Sequence, residues 1–275
     1  MDLYCVMGNP VAHSKSPWIH ARFAALTGQT LRYEKRLVPL DGFAAAVHAF
    51  AAEGGRGCNI TLPFKFAADA LAGLTSERAT LAQAANTLTF ADGEISADNT
   101  DGVGLIRDIE GHAGCRLQGR RLLLIGAGGA AAGVLGALLQ AQPEHITVVN
   151  RTATKASALV ARHDALARRQ KTELVALGLD APLGCFDVVI NASASSLSGA
   201  AVPVPGSTLK PGALAYDLMY GAAAQGFMAW AQAHGARSRD GLGMLVEQAA
   251  ESFFIWRGVR PPVPQVLAEL RAEIA

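Results

Sequence analysis

The stretch Leu122-Leu123-Leu124-Ile125-Gly126-Ala127-Gly128-Gly129-Ala130-Ala131 decides the fold. Four branched apolar residues read as a buried strand. The glycines that follow make a tight turn, and the alanine-rich run after them reads as a helix over Gly129–Gln140. The turn fits G-x-G-x-x-G/A, with Ala131 in the last place. In such a turn the backbone N–H groups of Gly126, Ala127, Gly128, Gly129 and Ala130 can approach a pyrophosphate, and the positive end of the helix dipole favours it. The alternative is a glycine-rich helix packed tightly on a sheet with no ligand. The run Leu122–Leu139 is also long enough to suggest a membrane span, but its five glycines favour a strand, a turn and a buried helix.

Outward from this unit, short apolar strands alternate with helical stretches. Downstream, strands are expected at Ile146–Val149, Val188–Ile190 and Leu214–Asp217, with a helix over Thr152–Ala167. Upstream, strands are expected near Leu3–Met7, Leu31–Leu37, Cys58–Thr61 and Thr87–Phe90. Helices should begin at Pro17 and at Phe43–Ala52, capped by Asp41, and a further helix is expected over Gly102–Glu110. Gly243–Trp256 and Val263–Ile274 read as two closing helices.

The strand ending at Val149 delivers Asn150-Arg151-Thr152, with Lys155 one turn on. An NAD site usually places a carboxylate here to hold the ribose 2′-hydroxyl; this chain has none. Arg151 offers a planar fork for a 2′-phosphate, and Thr152 a hydroxyl and backbone N–H groups. The plainer alternative is a solvated helix start with a capping threonine.

Composition bounds the rest. About half of the 275 residues are apolar, 17% are charged, and the formal net charge is +1. This is a folded chain with no charge block suited to nucleic acid or a membrane surface. The N-terminus lacks a signal-peptide pattern. Cys5, Cys58, Cys115 and Cys185 show no C-x-x-C spacing, so no metal site or disulfide framework is indicated, and a cytoplasmic location is expected. Lysine is scarce, six against eighteen arginines, which draws the eye to Lys65.

Several segments together resemble the shikimate dehydrogenase family. They are Gly8–Pro17 (GNPVAHSKSP), Asn59–Lys65 (NITLPFK), Ala85-Asn86-Thr87, Asp98–Gly102 (DNTDG), the Gly126–Ala131 loop, Asn150-Arg151-Thr152, Tyr216–Tyr220 (YDLMY) and Asp240–Ala250 (DGLGMLVEQAA). They run in the family's order over nearly the whole chain. The resemblance implies an α/β fold in which an N-terminal α/β substrate domain (residues 1–101, joined by C-terminal helices from 241–275) accompanies a Rossmann-type dinucleotide-binding domain (102–240).

The implied activity is the NADP-dependent reduction of 3-dehydroshikimate to shikimate, a step toward chorismate and the aromatic amino acids. By resemblance, Ser14 and Ser16 bind the substrate carboxylate with Tyr220 nearby. Thr61, Asn86, Asp101 and Gln248 hold the ring hydroxyls. Lys65, paired with Asp101, is the catalytic acid/base. Leu218 and Gly241 line the nicotinamide pocket, and Glu77 falls at a position linked to cofactor contact.

Each residue also has a plainer use. Ser14 and Ser16 could cap a helix, Asn99 and Asp101 could be turn residues, Lys65 could be a solvated first-turn lysine, and Tyr220 could be a packed aromatic. Two runs depart from the family pattern. Ala131-Ala132 stands where many relatives carry a basic residue, which leaves the 2′-phosphate clamp to Arg151, and Asn191-Ala192-Ser193-Ala194 is a loose form of the family's Asn-Ala-Thr-Ser. Two other functions stay open at this point: an NAD-using quinate/shikimate dehydrogenase, and a sensor that binds both ligands without turnover. A homodimer is one candidate assembly.

Overall fold

The computed structural model describes residues 1–193, 195, 196 and 199–274. The chain divides into two compact units. Unit 1 is Met1–Gly104 with Val246–Glu273, and unit 2 is chiefly Leu105–Leu245.

Unit 1 opens with β1 (Asp2–Gly8), α1 (Ser16–Thr27), β2 (Leu31–Leu37), α2 (Phe43–Ala52) and β3 (Gly55–Ile60). Short elements follow: α3 (Lys65–Leu71), β4 (Leu74–Thr75), α4 (Glu77–Ala82), β5 (Thr87–Ala91), β6 (Glu94–Asp98) and α5 (Asp101–Ile106). The sheet order is β2-β1-β3-β5-β6-β4. β1 runs parallel to β2 and β3, whereas β5 is antiparallel to both β3 and β6. Met7, Val47, Phe50, Ile60 and Leu88 fill one face of this sheet, all of them almost completely buried.

Local chemistry explains several ends. α1 stops at Gly28, whose φ of 65° lets its N–H reach Ala24 O, a left-handed cap that glycine adopts without steric cost. α4 starts on Ser76, whose hydroxyl accepts from Ala79 N at 3.2 Å, a normal N-cap. Asp41 does not cap α2. Gly42 occupies that position and no side chain bonds there. The helix expected over Gly102–Glu110 is α5 continued by a wider π-type turn, Arg107–His112.

Unit 2 holds β7 (Arg121–Ile125), α6 (Gly129–Gln140), β8 (His145–Asn150), α7 (Ala153–Gln170), β9 (Glu173–Gly178) and β10 (Phe186–Asn191). It continues with β11 (Leu209–Asp217), α8 (Gln225–Ala233), β12 (Arg237–Arg239) and the start of α9 (Leu242–Arg257); α10 is Val263–Ile274. All six strands are parallel in the order β12-β11-β10-β7-β8-β9. That is the doubly wound arrangement of a Rossmann domain, with its switch point between β7 and β10. Leu122, Leu123 and Leu124 are fully buried, as expected for a parallel sheet covered on both faces. No helix among the described residues is long and apolar enough to cross a membrane.

Candidate active site

In unit 1, the loop after β3 leads into α3, and Lys65 is the first residue of that helix. Its ammonium pairs with a carboxylate oxygen of Asp101, and the two side chains are 15% and 6% exposed. Asp101 opens α5, and its backbone N–H donates to Asn99 Oδ1 at 3.1 Å. The second Asp101 oxygen accepts from Asn86 Nδ2 at 2.9 Å. That amide nitrogen also lies 2.9 Å from Thr100 Oγ1 and 3.2 Å from Gln248 Oε1. Asn86 Oδ1 accepts from Thr100 N at 2.8 Å and Thr87 Oγ1 at 2.9 Å. The structure thus brings Lys65, Asn86, Asp101 and Gln248 into one connected polar cluster from four separate parts of the chain. An ammonium has three donors, and Asp101 takes one of them here.

Ser16 is the first residue of α1, preceded by Lys15 at the cap position with no side-chain capping bond. The two serine hydroxyls bond each other, Ser14 Oγ to Ser16 Oγ at 3.2 Å. Ser14 Oγ also accepts from Ser16 N, the first N–H of α1, at 3.3 Å, so Ser14 serves the helix start as well. Thr61 is half-buried at the end of β3, where its N–H donates to Met7 O at 3.0 Å.

In unit 2, Gly126 sits at the switch point with φ of +113°, and a Cβ there would lie 2.9 Å from Ala192 O. No other residue fits both the conformation and the space. α6 begins at Gly129 with Gly128 at its cap and no capping side chain, so the turn presents backbone N–H groups that have no partner inside the helix. Ala131, fully buried, lets the helix pack close to the sheet.

At the end of β8, Asn150 Nδ2 donates to Thr152 O at 3.0 Å. Thr152 occupies the cap of α7 but its side chain makes no capping bond. Arg151, Thr152 and Lys155 are exposed, and among the described residues no carboxylate pairs with Arg151. Leu218 N donates to Asn191 O at 3.0 Å and Gly241 N to Met219 O at 2.9 Å. A Cβ on Gly241 would collide with Leu218 O, so these two backbones are in contact. Tyr220 is half-buried, and burial pushes its phenol above the ordinary value. Glu77 is an exposed first-turn residue of α4 and belongs to unit 1, whereas the glycine loop and Arg151 belong to unit 2. Ala194 lies outside the described residues.

Three family profiles match in series: the shikimate dehydrogenase substrate binding domain over residues 6–88, shikimate / quinate 5-dehydrogenase over 109–198, and the shikimate 5'-dehydrogenase C-terminal domain over 241–271. A shikimate dehydrogenase (NADP(+)) of Acidovorax sp. (strain JS42) is 68% identical over 274 residues, covering 100% of this chain and 97% of the relative. The chain belongs to the shikimate dehydrogenase family.

Solved structures share its fold. An Ael1 enzyme from Pseudomonas putida is 45% identical with a TM-score of 0.88, covering 98% of each chain. Shikimate 5-dehydrogenase of Thermus thermophilus, solved with NADP(H) and shikimate, is 30% identical with a TM-score of 0.86, covering 99% of each chain.

Further buried polar residues, to which the sequence alone assigns no role, extend these networks. Thr87, Thr100 and Ser252 extend the unit 1 cluster, with Ser252 Oγ 2.8 Å from Thr87 Oγ1 and 3.2 Å from Thr100 Oγ1. In unit 2, the fully buried Asp108 accepts from Tyr216 Oη at 2.6 Å and from Arg239 Nε at 2.9 Å. Asp217, also buried, accepts from Ser196 Oγ at 2.5 Å, Met219 N at 2.9 Å and Asn191 Nδ2 at 3.2 Å. Burial pushes its carboxyl above the ordinary range despite these donors.

Proposed function

We propose that this chain catalyses the reversible, NADP-dependent reduction of 3-dehydroshikimate to shikimate, with unit 1 binding the substrate and unit 2 the nucleotide. The observation that carries this reading is the Lys65–Asp101 pair embedded in the Asn86–Gln248 hydrogen-bond cluster. The substrate is a small ring that carries a carboxylate and several hydroxyls, so it needs directional polar partners rather than an apolar slot. Ser14 and Ser16 receive its carboxylate. Thr61, Asn86, Asp101 and Gln248 bond its hydroxyls. As the ketone is reduced, negative charge grows on its oxygen. Lys65 stabilises that charge and delivers the proton, and in the reverse direction it takes the proton back. Asp101 orients the ammonium and offsets its partial burial.

The residues of unit 2 fit NADP. Gly126 permits the tight turn against Ala192, Gly128 has open space beside it, α6 supplies N–H groups and a favourable dipole, and the exposed Arg151 stands where an NAD site would carry a carboxylate. Gly126, Ala127, Gly128, Gly129 and Ala130 hold the pyrophosphate. Asn150, Arg151, Thr152 and Lys155 hold the phosphorylated ribose, and Leu218 and Gly241 border the nicotinamide. When bound, the reduced nucleotide supplies the hydride. The free thiols of Cys5, Cys58, Cys115 and Cys185 suit a reducing cytoplasm.

A sensor without turnover has no use for an acid/base lysine held against a carboxylate, so catalysis is the better reading of Lys65. The test is spectrophotometric: oxidation of shikimate and of quinate, each with NADP and with NAD. Shikimate with NADP should give the highest kcat/KM. Quinate carries an extra tertiary hydroxyl on a saturated ring, for which the serines at the carboxylate end would have to make room. Equal or better kcat/KM with quinate overturns the substrate assignment, and preference for NAD overturns the cofactor assignment.

A further inference from the structure

The proposed reaction gives no role to Ser252, a fully buried residue of α9 one turn beyond Gln248. Among the described residues its hydroxyl has four hydrogen-bonding neighbours. One is Gln248 O, on its own helix, at 3.1 Å; the others are Asn59 Nδ2 at 3.0 Å, Thr87 Oγ1 at 2.8 Å and Thr100 Oγ1 at 3.2 Å. These last three come from three separate stretches of chain, each next to a residue proposed to bind substrate. Asn59 is two residues before Thr61, Thr87 follows Asn86, and Thr100 precedes Asp101. With one proton and two lone pairs, the hydroxyl can engage three of its four neighbours at once. Every such set ties α9 to the chain around Asn86.

The direction of two bonds in this network is settled. Asn59 Nδ2 lies 3.1 Å from Asn86 O, a carbonyl that can only accept, and Asn59 Oδ1 takes the phenol proton of Tyr33 at 2.7 Å. The Asn59 nitrogen therefore donates to Ser252. Likewise Thr100 N can only donate, and it bonds Asn86 Oδ1 at 2.8 Å, so the Asn86 nitrogen faces Gln248 Oε1 at 3.2 Å. The Gln248 oxygen is thereby turned toward Asn86 and its NH2 group away from it.

We propose that Ser252 is a positioning residue for Gln248. It sets the rotation and height of α9 against Asn59, Thr87 and Thr100, so that Gln248 keeps its oxygen on Asn86 and offers its N–H donors to a ring hydroxyl of the substrate. This inference rests on the reading of unit 1 as a shikimate site. Ala249 and Phe253, which flank this turn, are buried and apolar; such packing holds the helix down but is non-directional. The hydroxyl of Ser252 adds direction, and donors set in advance bind more tightly because less ordering remains to be done on binding.

The experiment compares wild type, Ser252→Ala and Trp256→Phe in shikimate oxidation with NADP, together with thermal melting of each. In Ser252→Ala, Asn59, Thr87 and Thr100 each keep a bond to Asn86, so no donor is left stranded. Trp256 is the control: its Nε1 donates to Leu88 O at 3.1 Å one turn further along α9, so Trp256→Phe also removes a bond from helix to sheet while leaving Ser252 in place. Loss of one neutral hydrogen bond corresponds to about threefold to tenfold in binding. Ser252→Ala should raise KM for shikimate by that factor with kcat and NADP affinity little changed. Trp256→Phe should lower the melting temperature without moving KM. In a Gln248→Ala background, Ser252→Ala should add almost nothing to KM. If Ser252→Ala unfolds, Ser252→Cys, which keeps only a weak S–H donor, takes its place in the same comparison.

Unchanged KM for shikimate, the same rise in KM with Trp256→Phe, or full additivity with Gln248→Ala would each overturn the positioning role while leaving the substrate reading intact. A wild-type chain that oxidises no shikimate would overturn both.

Discussion

Lys65 and Asp101 form a nearly enclosed ion pair in which each partner opens a helix, α3 and α5 respectively, and Asp101 is fixed from its other side by Asn86 at 2.9 Å. The carboxylate thus holds both the Lys65 ammonium, proposed to handle the proton, and the Asn86 amide, proposed to bind substrate. The pair and its amide work as one unit, and this has consequences for how substitutions combine.

Asp101→Asn should slow turnover and weaken shikimate binding, the second effect being the larger because Asp101 is proposed to accept a substrate hydroxyl. Combined with Lys65→Ala it should be little worse than the more damaging single change, since both remove the same unit. Steady-state kinetics of the three variants check this; strictly multiplicative losses would mean that the two residues act separately.

Arg151→Ala should remove most of the preference for NADP. A charge-assisted hydrogen bond is worth roughly 1.5–3 kcal/mol, so NADP affinity should fall about tenfold to a hundredfold. NAD has no 2′-phosphate and its affinity should stay put. Titration of both nucleotides against both proteins reads the difference, and a variant that still prefers NADP removes Arg151 from the clamp.

Gly126→Ala places a methyl group 2.9 Å from Ala192 O at a backbone φ of +113°. Strain of this kind costs on the order of 1–3 kcal/mol. The variant should melt earlier and bind NADP less tightly, with substrate-side residues untouched. An unchanged melting temperature would show that the turn has slack the structure does not reveal.

Acid should destabilise the fold through His20. Complete burial lowers its pKa to about 3, while an unfolded histidine titrates near 6.5. Between these values the unfolded chain binds the proton and the folded chain does not. Stability is therefore full above about pH 6.5 and falls as pH drops through the window, by ~1.4 kcal/mol per pH unit for this group. His163, whose pKa burial also lowers, adds slope of the same sign. Urea unfolding between pH 7 and 5 should accordingly show a shallower decline in His20→Phe than in wild type. Identical slopes would mean that His20 takes up its proton in the folded state at ordinary pH.

The cofactor half of the fold was legible because its signals are local. β7, the glycine turn and α6 lie within twenty residues, and helix α6 occupies Gly129–Gln140 as its composition indicates. α10 likewise matches at both ends. The sheet's edge strands were not legible. β9 carries the apolar run Leu174-Val175-Ala176-Leu177, but leucine and alanine directly after the long helix α7 read as readily as more helix, and β12 has only three residues, two of them arginines. The short α3 and α4 carry too few turns for a helical period to appear. In unit 1, Lys65, Asn86, Asp101 and Gln248 could be named from a resemblance, but the polar bonds that join them could not. Asn59 and Ser252, for example, meet across 193 residues of sequence, and no spacing rule reaches that far. The same is true of Tyr33, which reads as an ordinary strand tyrosine until its hydroxyl is seen against Asn59.

The most direct test of the account is the Lys65→Ala enzyme, measured for both turnover and nucleotide binding. Lys65 belongs to unit 1 and the glycine loop to unit 2, so the affinity for NADP should hardly change. Loss of a general acid/base commonly costs about 10²–10⁴ in rate, and here the loss should fall chiefly on kcat, because the role proposed for Lys65 lies where charge builds on the substrate oxygen. Tight NADP binding with turnover reduced to that extent is the predicted result. A Lys65→Ala enzyme with near wild-type kcat would contradict the account and leave the proton to another group.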